Sequence, residues 1–203
     1  MIKTKINELI NNWTRIKNHC RTTVNKEFTE NEPKENFKKK LLISEHSPIR
    51  LLEVDWSWRS IPYWVSTELS RHKNEKFIST QRTDRTGVNR SELPQGALVN
   101  FDGYANAQNL IDIARKRLCY QATNEARKLV ESLKIELQND EKELSDVLVP
   151  NCIYRGGCPE FTPCGYYGKF LKYCNDNNLQ INTIQQRYDA YNKFFYEQQN
   201  KNI

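Results

Sequence analysis

The sequence predicts an α/β domain of the α+β type, and three observations carry that prediction. Apolar residues recur at helical spacing on both sides of one short alternating segment. Within that segment, from Leu51 to Trp58, apolar side chains fall at Leu52, Val54, Trp56 and Trp58, a strand signature. No Gly or Pro interrupts the two helical stretches that follow Ala105. At 203 residues the chain is long enough for one domain with a substantial core. It shows neither an internal repeat nor a low-complexity linker. One domain over 1–203 is therefore expected, with a core over 1–145 and a Cys-rich loop plus C-terminal helices over 146–203.

Composition narrows the function classes. No apolar run approaches the roughly 18–20 residues of a membrane span. Met1-Ile-Lys-Thr-Lys leads into a polar helical segment and lacks a signal-peptide pattern, so a cytoplasmic protein is expected. The net charge of +6 would attract phosphorylated small molecules or nucleic acid without choosing between them. Six cysteines in such a chain are expected as free thiols or metal ligands.

In order along the chain, Ile2, Ile6, Leu9, Ile10, Trp13 and Ile16 lie at helical spacing, which predicts an amphipathic helix over 2–20. A loop over 25–36 is broken by Pro33, and a second helix runs from there to about Ile43. Glu45-His-Ser-Pro48 reads as a turn and Leu51–Trp58 as the strand. Ser60-Ile-Pro62 then turns the chain into a helix from Tyr63 to Arg71. Phe77–Arg82 is expected to be extended, and Thr83–Gly87 is a polar turn. The helix after Ala105 carries Leu110, Ile113, Ala114 and Leu118, with Arg117 on its flank. The next carries Ala126, Leu129, Val130, Leu133 and Leu137. Leu148–Gly168 is a Pro-, Gly- and Cys-rich loop. Two short helices end the chain, and their polar surface reads as a solvated hairpin.

The chemistry concentrates in Glu68–Arg82. There Arg71, His72, Lys73, Lys76 and Arg82 stand among hydroxyls and amides, just past the Trp-rich apolar run. Such donors suit a phosphate or another anion. A solvated basic helix end is the plainer alternative.

Together with its neighbours, this stretch resembles the flavin-dependent thymidylate synthases. Their signature is R-H-R-x7-S, continuing as S-x-R. Here Arg71-His72-Lys73 is followed, one residue sooner, by Thr80-Gln81-Arg82, with Ser79 as the alternative hydroxyl. His46-Ser-Pro48 resembles the family's H-x-S/T-P turn, and Arg90-Ser-Glu-Leu-Pro94 its R-x-x-L-P segment. Asn106-Ala-Gln108 resembles N-A-R, and Arg117 falls where the same helix carries its Arg. Gln121 and Glu125-Ala-Arg127 are similar to its A-Q-x-E-I-R. The resemblance covers roughly residues 1–130.

That resemblance implies a small mixed sheet flanked by long helices, and a homotetramer whose active sites are shared between subunits. It implies that reduced FAD takes part in moving a one-carbon unit from methylenetetrahydrofolate to C5 of dUMP, with no cysteine nucleophile. Arg71, Ser79, Thr80, Gln81, Arg82 and Arg90 would hold the nucleotide. Arg117 would sit against the uracil as the catalytic group. Arg71, His72, Lys73, Asn106, Gln108 and Asp112 would line the flavin. Gln108 and Lys73 replace family arginines, and the segment between S-x-R and R-x-x-L-P is cut to Thr83–Asn89. A remodelled relative, or a different pyrimidine nucleotide, is expected from these departures.

Cys152, Cys158 and Cys164 recur at equal spacing on the Gly/Pro-rich loop, which would allow zinc or an iron–sulfur cluster. Buried free thiols and regulatory oxidation are the competing readings. Cys119 reads as a packing residue. Two further function classes stay open: a non-catalytic nucleic-acid-binding protein, and a metal-assisted nucleotide-modifying enzyme using the cysteines.

Overall fold

The computed structural model describes residues 3–201. Four strands, β1 (Lys5–Ile10), β2 (Glu53–Pro62), β3 (Glu75–Ile78) and β4 (Leu98–Asn106), form one sheet in the order β1-β2-β4-β3. All three pairings are antiparallel, where a mixed sheet was expected. Helices α1 (Trp13–Thr22), α2 (Glu35–Ile43) and α3 (Tyr63–Leu69) precede or link the strands, and α4 (Thr83–Thr86) is a single turn. After β4 the chain is helical: α5 (Ala107–Arg117), α6 (Asn124–Asp140), α7 (Lys142–Val147), α8 (Asn151–Arg155), α9 (Tyr166–Asp176) and α10 (Ile184–Lys201). The α+β class is as predicted.

The first expected helix is instead β1 followed by α1; Ile2 lies outside the described residues. The cause is a bulge. Ile6 faces Trp56 and Leu9 faces Val54, with a register shift between Ile6 and Glu8. One extra residue puts side chains three apart on the same face, so a bulged strand imitates helical spacing. Asn12 then ends the strand phase and caps α1, its side chain accepting from the Arg15 amide at 2.8 Å.

The strand expected over Leu51–Trp58 runs on through Ser60-Ile-Pro62, where a turn was predicted. A second bulge between Trp58 and Ile61, with Ser60 at φ 56°, absorbs the bend. β4 had no sequence signal strong enough to register. Its buried positions are Val99, Phe101, Gly103 and Ala105, and the two small ones mute the alternation. Their smallness has a reason. A Cβ at Gly103 would come within 2.4 Å of the Trp56 indole, so Trp56 occupies the space a side chain would need.

Trp13, Trp56 and Trp58 are buried in the core, with Trp64 half-buried against it. The apolar stripes of α5 and α6 are buried too. The C-terminal helices are not a solvated hairpin. Tyr188, Tyr191, Phe194 and Phe195 join the same core. Beside them Lys134 of α6 is fully buried, donating to the Ser145 carbonyl at 2.6 Å and to Asn192 Oδ1 at 2.7 Å. Burial pulls its ammonium down to about 7. No helix among the described residues is long and apolar enough to cross a membrane.

Candidate functional site

Where α3 ends, the turn Ser70–Asn74 carries Arg71, His72 and Lys73 against one flank of α5. The two elements, with α8 behind them, enclose a cavity of about 390 Å³, within the range of small-molecule sites. Arg71, Lys73, Arg115, Lys116 and Arg155 bring five cationic side chains to its lining, against the single carboxylate of Asp112. A second cavity of about 380 Å³, lined by Asn106, Tyr104, Glu53 and Lys76 among others, shares His72, Lys73 and Asn109 with the first. The two make one furrow past the N-terminal end of α5. That end carries positive dipole charge, and Asn106 caps it by accepting from the Asn109 amide at 3.0 Å.

The cations of this wall fall into two sets. Arg115 and Arg117 are committed. Arg115 pairs with Glu45, whose carboxylate also accepts from Gln108 Nε2 at 2.6 Å, and its guanidinium stacks 3.7 Å above the Tyr154 ring. Burial works against the charge of Arg115, but Glu45 and Tyr188 outweigh it and hold the group above its ordinary value. Glu45 reaches this position from a left-handed backbone, at φ 51°. Arg117 pairs with Glu68, donates to the Glu68 carbonyl at 3.0 Å and donates from Nε to His72 Nε2 at 2.7 Å. The anion that offsets the desolvation of Arg117 is therefore supplied by the chain itself. Arg71, Lys73 and Lys116, by contrast, make no ion pair among the described residues and are exposed at the cavity.

His72 is neutral at physiological pH. Burial first, then the charge of Arg117, pushes its imidazole down to about 4, although Glu68 pulls the other way. Since Nε2 accepts from Arg117, the ring proton sits on Nδ1.

The structure thus brings together Arg71, His72, Lys73 and Asp112, with Asn106 in the adjoining cavity. Gln108 is held by Glu45 and Arg117 by Glu68; neither lines the furrow. The remaining expected residues stand apart on an exposed arm between β3 and β4. Ser79 bonds Asn100 and extends the sheet edge, its Oγ accepting from the amide at 3.0 Å. The Thr80 hydroxyl accepts from the Arg82 amide at 3.1 Å, and the Arg82 guanidinium forks onto Asp84 at 2.8 and 3.0 Å. Gln81 and Arg90 lie on the same arm. Sequence reasoning missed Arg115, Lys116, Asn109, Tyr154 and Arg155. The first two were visible in the run Arg115-Lys116-Arg117, of which only the last matched the resemblance. Tyr154 and Arg155 depend on α8, which had been read as loop, and Asn109 is on the first turn of α5.

The metal expectation is corrected. Among the described residues no three His, Cys, Asp or Glu side chains gather to hold a metal ion. Cys152 is buried on α8, Cys158 is half-buried and Cys164 is exposed; they border one cavity without forming a metal-holding group. All six cysteines are free.

No protein-family model matches the sequence, and no curated protein matches it. Solved structures do. A thymidylate synthase X (ThyX) from Helicobacter pylori, solved with FAD and dUMP, aligns with a TM-score of 0.60 at 12% identity, over 73% of this chain and 99% of its own. A second structure of the Helicobacter pylori flavin-dependent synthase, complexed with FAD and dUMP, also gives 0.60, at 11% identity over 72% and 99%. The UMP/dUMP methylase PolB from Streptomyces cacaoi, bound with 5-Br dUMP, gives 0.57 at 12% identity over 72% and 94%. The chain has the flavin-dependent thymidylate synthase fold. Within that fold, the furrow between the Arg71–Lys73 turn and α5 brings together Arg71, Lys73 and Lys116, which make no ion pair among the described residues.

Proposed function

We propose that the chain is a pyrimidine-nucleotide methyltransferase of the flavin-dependent thymidylate synthase type. It would move a one-carbon unit from methylenetetrahydrofolate to C5 of dUMP, or of a related pyrimidine nucleotide, with reduced FAD. The observation that carries this reading is the cationic furrow, in a fold whose solved relatives were crystallised with FAD and dUMP. The residues present fit a phosphate-bearing cofactor: Arg71, Lys73 and Lys116 are cations without carboxylate partners, and an α-helix points its N-terminus at the adjoining cavity. FAD, when bound, supplies the hydride that the transfer requires.

The chain's own residues have the following tasks. Arg71 and Lys73 take phosphate charge, with Lys116 and Arg155 extending the cationic wall. Neutral His72 donates from Nδ1, and Asn106 has its amide group left over from capping α5. Asp112, the one carboxylate lining this cavity among the described residues, would accept from a hydroxyl or ring N–H. Arg117 acts through His72 as a positioning residue, fixing its tautomer and keeping it uncharged. Gln108 and Glu45 hold Arg115 flat against Tyr154.

Ser79, Thr80, Gln81, Arg82 and Arg90 would contact the nucleotide from a neighbouring copy. Their arm is exposed in the single chain, and it also exposes apolar Val88, with Leu98 exposed where β4 begins. An assembly of several copies, with a homotetramer as the expected form, would bring arm and furrow together.

The test is release of label from C5 of labelled dUMP by purified protein supplied with FAD, a reductant and methylenetetrahydrofolate. Release that requires all components is the expected result. A protein that neither binds FAD nor releases label, yet shifts oligonucleotides, would sink the proposal in favour of nucleic-acid binding.

A further inference from the structure

Four cysteines outside the furrow line one small cavity of about 160 Å³: Cys119, Cys152, Cys158 and Cys164. Cys119 follows the last turn of α5, and Cys164 is on the loop that precedes α9. These two segments are docked on each other at two further points. Gln121 donates to the Thr162 carbonyl, and the Tyr120 ring stacks on Tyr166 with centroids 3.9 Å apart. The contacts lie on either side of Cys164 and immediately after Cys119, so residues 119–121 run beside residues 162–166 and both thiols face the one cavity. Gly165, at φ +81°, gives the left-handed turn that sends the chain from Cys164 into α9. Cys164 is exposed, Cys119 is half-buried behind it and Cys152 is buried. Burial pushes the Cys152 thiol up to about 12 and raises the half-buried Cys119 thiol too, which leaves the exposed Cys164 as the thiol open to first attack.

We propose that Cys119 and Cys164 form a thiol–disulfide exchange site oxidised by low-molecular-weight disulfides, which straps the loop to the end of α5. The Cys164 thiolate attacks one sulfur of the small disulfide, breaking its S–S bond. This forms a mixed disulfide and releases the first small thiol. The Cys119 thiolate then attacks the Cys164 sulfur, forming the Cys119–Cys164 bond and releasing the second. Two electrons pass from the protein dithiol to the small disulfide, and the two thiol protons leave on the released thiols. No part of this step depends on the flavin reading. Its location gives it reach: Asn151 lines both this cavity and the cationic one, and Arg117 is two residues from Cys119.

The experiment treats the reduced full-length protein with oxidised glutathione, alkylates the remaining thiols and maps the peptides. The expected product has one bond joining residues 119 and 164, leaving four of the six thiols (six less the bonded two) open to alkylation after denaturation. Cys119→Ser should stop at a glutathione adduct on Cys164. Cys164→Ser should lose the cross-link and slow glutathione uptake by about tenfold, as expected when the accessible thiol is removed. Cys158→Ser, a third thiol of the same cavity, should oxidise like the parent. A bond to Cys158 or Cys152 in the parent protein would overturn the proposal. So would a stable adduct at Cys164 with Cys119 still free.

Discussion

The wall formed by α5 and the arm between β3 and β4 both carry residues that resemble one family's site, yet they are built by opposite means. On the wall, Arg115 and Arg117 are largely buried, and each meets a carboxylate, Glu45 or Glu68, from a distant part of the chain. On the arm, Arg82 is 62% exposed and paired only with Asp84, two residues away. The difference teaches that a motif can be complete in sequence and half-assembled in one chain. The wall is fixed by folding, whereas the arm has little to lose or gain until something docks on it.

That contrast can be broken first by stability. Glu68→Ala would strand Arg117 in a site where its side chain is only 15% exposed, and is expected to cost about 3 kcal/mol in urea unfolding. Arg82→Ala should stay within about 0.5 kcal/mol of the parent, because its ion pair is solvated and local. Equal losses would erase the distinction. The sheet supporting the wall offers a second test. Gly103→Ala forces a methyl onto Trp56 and is expected to cost about 1–3 kcal/mol. A neutral result would mean that β2 and β4 are less tightly packed than described.

Function sharpens the comparison further. Arg71→Ala/Lys73→Ala disables the wall, and Arg82→Ala/Arg90→Ala disables the arm. If arms reach the furrows of neighbouring copies, mixing and reassociating the two inactive proteins should restore part of the label release that neither shows alone. Recovery no greater than the sum of the parts would place each site within one subunit. The smallest expected effect is a titration. By NMR, His72 should remain neutral down to about pH 4, and Arg117→Gln should move its midpoint up toward 6.5. Because the folded value is depressed, the His72 contribution to stability is complete above 6.5 and is lost as pH falls through about 4. An unchanged midpoint in the variant would leave burial alone to hold the imidazole neutral and remove Arg117 from that role.

Much of the fold could be read from local pattern. The stripes of α5 and α6 and the alternation through Trp56 and Trp58 all appear where periodicity put them. What escaped was set by tertiary contact. Ile6 and Leu9 share a face only because of a bulge, Gly103 is small because of Trp56, and Lys134 is buried by helices far along the chain. For the site, Arg71–Lys73 and Asn106 could be found from sequence because their neighbours in the chain define them. Glu45 and Glu68 could not, since their importance arises only when α5 folds against them. The cysteine spacing misled for a related reason: thiols that border one cavity do not thereby take up the geometry that holds a metal.

The proposed flavin nucleotide would lie in the furrow beside α5. The direct measurement is titration of the protein with FAD, followed by quenching of flavin fluorescence, in the parent and in Arg71→Ala/Lys73→Ala. Saturable binding, weakened at least about tenfold in the double variant by the loss of two charge-assisted contacts, is the predicted result. Equal FAD affinity in both proteins, or none in either, would contradict it.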